Sequence, residues 1–498
     1  MENIFCDLVI VTLPPIGFNS PALGPALITA AVQKAGYSAK QIDFSARFYE
    51  KHKHNQEIKN WLTLDTFVAN ESGFIVPFLT ESISHFISEI KNIKPRWIGL
   101  SLFTTRGFFI LNLILDKIKH EYPEGKIVVG GSGVIEQNYF QKLLEDKKID
   151  AYVHGEGEKS ILEVLSGNLE YPGINGSPPV GIENLDEIQF ADYSDLDFQK
   201  NYLIKKENKS IRMFFIEGSR GCVKKCSFCY IPFTKPGYRY RSTQSIITEV
   251  YQLIDKHDMN HIYFVDSLVN GSLKHLKELC LKLKEIRNTQ KPDLHWTGYF
   301  IIRSEKLYAK ENFKLLAESG AYLLKLGVES GSHKVRQDMN KFNSNEDIDY
   351  NFDQCLENNI GVSALIVVGF PTESETDFDS TKNFVIKHRK TLARQNSQIS
   401  ISWKVAVIDQ KSDLSLNPDK YGIQYDHHKE WYSDHVNILI SSKRYLDLCS
   451  LVDSLNIQHR NKFSKERVFD YLKKYNVNEA DLQLPEQELK QLYLNQLN

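Results

Sequence analysis

Short apolar runs alternate with longer amphipathic segments along most of the chain, the pattern of strands and helices wound as βα units. In the first third, residues 8–13 read as a buried strand and 23–35 as a helix with a small and apolar face. Gly36 and Tyr37 stop that helix, and 39–43 supply a second strand. Residues 98–103 and 127–129 are two more strands, separated by the amphipathic run 110–120. Together they predict a doubly wound, Rossmann-like sheet whose loops at the carboxyl edge carry any ligand.

A second series begins near residue 211. Strands are predicted at 212–216, 261–266, 294–300, 322–327, 362–369 and 402–407, with helices around 243–256, 273–286, 305–319, 348–359 and 375–388. Six βα repeats fit an open (β/α)6 barrel better than a closed eight-stranded one. Beyond 407 the pattern is irregular, with a turn at 417–422 and packing helices at 445–455 and 465–475. The expected layout is an α/β chain: a Rossmann-like domain over 1–170, a linker over 171–207, the barrel over 208–407 and a mainly helical region over 408–498. Trp431 and Tyr432, amid His427, His428 and His435, read as a solvated loop covering the barrel mouth rather than a metal site.

Composition adds limits. A chain of 498 residues exceeds one ordinary core, and 42% hydrophobic with 25% charged residues is the balance of a folded globular protein. A formal net charge of −2 without a basic stripe argues against nucleic acid as a partner. No apolar segment approaches the ~18 residues of a spanning helix, and the first residues lack a basic leader, so a cytoplasmic protein without membrane contact is expected. The 24 tyrosines and 28 phenylalanines point to no aromatic substrate, since such residues also fill ordinary cores.

Of seven cysteines, Cys6, Cys280, Cys355 and Cys449 are scattered through apolar or helical patterns and read as core thiols. The other three, Cys222, Cys226 and Cys229, stand in GSRGCVKKCSFCYIP. Three thiolates at C-x3-C-x2-C can ligate three irons of a [4Fe–4S] cluster and leave the fourth open for a small molecule. The rival is a structural zinc completed by a distant histidine. A position directly after a strand, lysines between the cysteines and an aromatic after the last one favour the cluster.

The loops of the first third are the other candidates. Pro14 and Pro15 follow the first strand, Phe103, Thr104, Thr105 and Arg106 a central one, and Gly130, Gly131 and Ser132 another. Glycines there allow a flat or anionic ligand to approach the backbone, or simply make tight turns. G-x-G-x-x-G is absent after the first strand, which excludes a dinucleotide fingerprint.

These residues carry a resemblance. C-S-F-C-Y resembles the cluster loop of radical S-adenosylmethionine (SAM) enzymes, and LPPIGFNSPALGPALITAAVQKAGY, IVVGGSG and DAYVHGEGEKSILEVL resemble the cobalamin-binding domain of their B12-domain members. The resemblance implies SAM chelated to the open iron and reductively cleaved to a 5'-deoxyadenosyl radical. It also implies Tyr230 beside adenine, Asp266 receiving the methionine amine with Phe264 and Ser267 at the same strand end, Glu329 at the ribose with Ser330 beside it, and a turn at Val368 and Gly369 that lets adenine approach the backbone. A carboxylate accepting two ribose hydroxyls is sensible for Glu329, an acceptor when ionised. Cobalamin would lie on the loops just named, with Glu156 and Gly157 closing the domain. The D-x-H-x-x-G motif that carries the lower cobalt ligand in many B12 proteins is absent.

The resemblance thus implies cobalamin-dependent methyl transfer to an unactivated carbon of a small molecule or peptide, fed by an external one-electron reductant. Cyclisation, rearrangement or C–C bond formation without methyl transfer is the rival within the family. A non-catalytic iron–sulfur scaffold is the rival outside it. Methylthiotransfer would need further cluster cysteines, and the first domain offers only Cys6.

Overall fold

The computed structural model describes residues 6–14, 20–62, 74–104, 107–198, 202, 204–206, 209–231, 235, 237–403, 412–460 and 463–497. The chain divides into two compact units, Met1–Ile216 with Arg239–Ile262, and Glu217–Tyr238 with Tyr263–Asn498.

In the first unit, β1 (Cys6–Thr12), β2 (Ala39–Asp43), β3 (Pro95–Ser101), β4 (Lys126–Gly130) and β5 (Ala151–Tyr152) form a parallel sheet in the order β2-β1-β3-β4-β5. Both faces are dry. Val9 and Val11 pack with Ile98 and Leu100 under helices Ile75–Ile93 and Phe108–Glu121, while Leu8 and Ile10 pack with Trp97 and Val128 under Leu23–Lys34 and Gly157–Ser166. The order reverses between β1 and β3, the switch point at which such sheets open a crevice.

The predicted strands and helices of this region are present with ends shifted by a few residues. Strand β5 and the helices Phe44–His52, Gln56–Leu62, Ile75–Ile93, Gln137–Glu145 and Gly157–Ser166 are additional. Helix Ile75–Ile93 is plain in the pattern, since Ile75, Leu79, Ile83, Phe86, Ile87 and Ile90 recur at helical spacing and are buried.

The strand β6 (Met213–Ile216) and the helix Thr243–His257 belong to the first unit. The second unit's sheet runs β7 (His261–Phe264), β8 (His295–Phe300), β9 (Ala321–Glu329), β10 (Gly361–Val368), β11 (Gln398–Trp403) and the short β12 (His459–Arg460) in consecutive order. Pairing from β8 to β12 is parallel throughout. The sixth strand starts at Gln398, earlier than predicted, and residues 404–407 lie outside the described ones. The helix predicted at 305–319 starts only at Lys310. Asn270 and Asn351 hold the backbone of Ile301 and Arg303 in an extended loop instead.

Helix-facing positions of this sheet, such as Leu324, Leu326, Val328, Ala364 and Ile399, are fully buried. Their inward neighbours Leu323, Gly327, Leu365 and Ser400 stay partly exposed. The inner side is therefore not the layered packing of a closed barrel.

The carboxyl-terminal segment carries helices Ile438–Ser454, Lys465–Leu472 and Glu486–Asn495. Trp431, predicted as solvated, is buried with Leu414, Tyr421 and Val436. Arg444 fastens this segment to the barrel, donating to Glu486 at 2.7 and 2.5 Å and to Glu373 at 3.1 Å while almost wholly buried. Among the described residues no helix is long and apolar enough to cross a membrane.

Removing a buried cation leaves two carboxylates facing each other, so Arg444→Ala is expected to lower unfolding free energy by about 3–5 kcal/mol in denaturant titration. Breaking the exposed Lys382–Asp379 pair with Lys382→Ala should change it by less than about 1 kcal/mol.

Candidate active site

The cysteine loop is pinned before its thiols and between them. Upstream, Gly218 donates its N–H to Asp266 Oδ1 and Ser219 its hydroxyl to Asp266 Oδ2, both at 2.7 Å. Gly221 follows at φ +82°, and a Cβ there would strike the Gly237 carbonyl. Between Cys226 and Cys229, Ser227 is buried; its N–H donates to Met339 O and its hydroxyl to Asp338 O, while its carbonyl accepts from Leu414. Asn340 donates to Lys225 O at 2.6 Å, and Phe228 packs into the apolar cluster around Val335, Met339 and Trp431. A cysteine loop with so little freedom is preorganised for a rigid inorganic group.

The three thiols sense one another. Burial pushes the Cys226 thiol up to about 12, Lys341 draws it down, and Glu329, Cys229 and Cys222 add to the rise. Such a thiol ionises when a metal replaces its proton. Among the described residues no three His, Cys, Asp or Glu side chains converge on one point tightly enough for a single metal ion. Ligands spread over three corners of a cube do not need to converge in that way.

Two cations complete the site, and neither was predicted. Lys341 donates to Glu329 Oε1 at 2.6 Å and to Gly327 O at 2.7 Å. A Cβ at Gly327 would meet both Lys341 Nζ and Glu329 Oε1, which is why glycine stands there. Glu329 has φ +66°, a costly conformation for a non-glycine residue, as found at functional sites. Arg303 donates to Asn270 O at 3.1 Å, and its buried Nε has no partner among the described residues. Burial holds the Arg303 guanidinium below its ordinary range, opposed by the charge of Cys222. Arg303 had a sequence signal, a cation just past a strand's carboxyl end; Lys341 had none.

Several expected ligand contacts are instead occupied by protein. Both oxygens of Asp266 serve the cysteine loop, and burial pushes its carboxyl up to about 7. Gly369, at φ +80°, makes room for Ser441 of the helix Ile438–Ser454 and donates its N–H to Glu373. Val368 is fully buried, as is Ser330, whose hydroxyl bonds to that of Thr381 at 3.2 Å. Phe264 packs edge-on against Trp296. Tyr230 and Ser267 stay half-buried.

In the first unit, Pro14 is buried and Pro15, Thr105 and Arg106 lie outside the described residues. Gly131 and Gly133 let the β4 loop press onto Leu102 and Thr104, and Ser132 donates to Phe103 O at 2.7 Å, so these glycines make a loop-to-loop contact. Gly130 has no close neighbour. Phe103 stands 49% exposed at the carboxyl edge and Thr104 beside it is half-buried. Glu156 is spent on Arg239 at 2.6 Å and the Ile182 N–H at 2.7 Å, and Gly157 packs its helix start against Ile28.

Residues 216–385 match the Radical SAM superfamily model. Over 364 residues the chain is 26% identical to cytidylyl-2-hydroxyethylphosphonate methyltransferase of Streptomyces wedmorensis, covering 64% of this chain and 63% of the relative. It is also 26% identical over 283 residues to ribosomal protein uS12 methylthiotransferase RimO of Clostridium novyi, covering 55% and 59%. The matches thus span less than two thirds of these relatives. The fold is shared with the radical SAM methyltransferase TsrM of Kitasatospora setae, solved with cobalamin and a [4Fe-4S] cluster, at TM-score 0.65 and 14% identity over 91% of both chains. It is shared likewise with the cobalamin-dependent radical SAM enzyme OxsB, at TM-score 0.60 and 15% identity over 99% of this chain and 70% of that one. The chain therefore contains a radical SAM domain, whose cofactors are a [4Fe-4S] cluster and SAM.

Asp266→Ala frees Gly218 and Ser219 and should cost about 1–3 kcal/mol, with a drop in iron and sulfide content after reconstitution. The raised carboxyl also sets a sign. Relative to Asp266→Asn, wild-type stability is greatest in acid and falls as pH rises from the unfolded value near 3.8 to about 7, being flat above. Thermal unfolding of the two proteins across that range checks it.

Proposed function

We propose that this radical SAM enzyme methylates an unactivated carbon of a small molecule or peptide and uses cobalamin as a second cofactor. The observation that carries the reading is the extent of the shared fold, which includes the Rossmann-like sheet and the carboxyl-terminal segment as well as the radical SAM domain. A relative named as a methyltransferase and matched over 364 residues adds support.

Cys222, Cys226 and Cys229 hold the cluster. When bound, the reduced cluster would pass one electron to SAM, whose C–S cleavage yields methionine and a 5'-deoxyadenosyl radical, and cobalamin would supply a methyl carrier. Around these groups the chain positions and shields. Arg303, with an unused N–H near Cys222, suits the SAM carboxylate. Glu329, its carboxylate fixed by Lys341, accepts from the ribose hydroxyls. Asp266 acts through the loop it holds and is a positioning residue. Tyr230 and Ser267 line the pocket for adenine and methionine, and Val368 and Gly369 form its floor. On the first unit, the exposed Phe103 ring with Thr104 and Gly130 offers an apolar edge that a flat macrocycle covers. Glu156, Gly157, Gly131 and Ser132 keep that edge in shape. The reductant is external and the setting cytoplasmic.

Likeness to a methylthiotransferase gives a second reading. Cys6, the one cysteine before Cys222, is buried and bonded to Leu8 O, which speaks against a second cluster in the first unit.

Anaerobic reconstitution should yield four irons per chain with bound corrin. Turnover should release S-adenosylhomocysteine and 5'-deoxyadenosine with a methylated product; 5'-deoxyadenosine alone with an unmethylated product would sink methylation in favour of rearrangement or cyclisation. Cys226→Ala should reduce SAM cleavage to background. Arg303→Ala should raise the Kd for SAM about 10- to 100-fold, the loss of one charged hydrogen bond, and leave iron content unchanged.

A further inference from the structure

Inside the second unit's sheet, one row of inward positions is polar. Strand register sets Tyr299, Lys325, Ser363 and Gln398 side by side on β8, β9, β10 and β11. Barrel interiors ordinarily hold branched aliphatic residues at such positions. Lys325 is only 1% exposed, and its ammonium lies 4.4 Å from the Tyr263 ring centre and 4.8 Å from that of Tyr299. It donates to the Tyr263 hydroxyl, which also bonds to Arg460 and Tyr299. Gln398 donates to Ser363 at 3.2 Å.

The charge of this row is unbalanced. Among the described residues no carboxylate pairs with Lys325 or Arg460, and burial together with Arg460 pulls the Lys325 ammonium down to about 7. A buried lysine with no counter-charge costs several kcal/mol, so the fold gains nothing from it as a structural element. Arg460 stands one inward row nearer the carboxyl edge, level with Gly327, Leu365 and Ser400. Glu329 folds its carboxylate over Gly327, which lies about 7 Å along the strand from Lys325, two residues at ~3.3 Å each.

We propose that Lys325, Arg460 and the Tyr263 and Tyr299 hydroxyls receive an oxyanion of the substrate, so that the substrate is a small acid bearing a carboxylate, phosphate or phosphonate. This deepens the reading of a radical SAM enzyme above and rests on it for where the reacting carbon lies. Two cations and adjacent hydroxyl donors suit an oxyanion, whose arrival supplies the missing negative charge. Its distance from Glu329 sets the reacting carbon within a few bonds of that anion. The polar row therefore selects substrates by charge and by the reach from acid group to reacting carbon.

The test uses reconstituted full-length protein and reads binding alone, so it stands or falls separately from methyl transfer. Inorganic phosphate and acetate are titrated by calorimetry into wild type, Lys325→Met and Arg460→Ala. The expected result is saturable binding of at least one anion, weakened tenfold or more by Lys325→Met and by a smaller factor in Arg460→Ala, with iron content unchanged. Tighter phosphate identifies a phosphate or phosphonate substrate, and tighter acetate a carboxylate. The proposal is overturned if wild type binds neither anion, or if either variant, once folded, binds as well as wild type. Because Arg460 is exposed, its variant keeps the test decisive should Lys325→Met fail to fold.

Discussion

Three cysteines within eight residues can share one inorganic group only if the backbone between them is held still. In this chain that restraint is a set of hydrogen bonds from neighbouring loops: Asp266 to Gly218 and Ser219 before the thiols, and the Asp338–Asn340 turn to Lys225 and Ser227 between them. Each bond is modest alone, but those to Asp266 are buried and their partners have no water to turn to. The carboxyl-terminal segment takes part through Leu414 and Trp431, so a region with no catalytic signature of its own supports the cluster loop.

The same economy governs the rest of the second unit. Carboxyl ends of successive strands deliver Asp266, Arg303 and Glu329 to one rim, where charge is paired or directed rather than neutralised. Lys341 fixes Glu329 from outside the strand, and Gly327 leaves space for that pair. Deeper in the sheet the Lys325 row breaks the apolar rule of such interiors, and local disagreement with folding rules is where function is expected. In the first unit the sheet follows the ordinary rules closely, with both faces dry and an exposed apolar ring, Phe103, at the edge where ligands bind.

Much of this was legible from the order of residues. The βα alternation gave both sheets, and Cys222, Cys226 and Cys229 gave the chemistry, because period and spacing are local properties. Roles that depend on neighbours distant in sequence were not legible. Asp266 was expected at SAM and is spent on a loop nearly fifty residues earlier in the chain. Gly369 was expected to let adenine approach the backbone, and its missing Cβ also makes room for Ser441. Glu156 was expected at a cofactor and pairs with Arg239. Lys341 gained meaning only from the charges around it, whereas Arg303 had a signal in its place just past a strand's carboxyl end. Lys325 was visible as a lysine within an otherwise apolar strand, yet only the register shows which row it joins.

The central claim is that the triad carries a cluster with one iron left free for SAM. Electron–nuclear double resonance on the anaerobically reduced protein, with SAM carrying 15N in its amine, tests it directly. The account predicts a 15N hyperfine coupling to the cluster that disappears in unlabelled SAM. A cluster spectrum unchanged by SAM and free of that coupling, or a fourth protein ligand on the cluster, would contradict it.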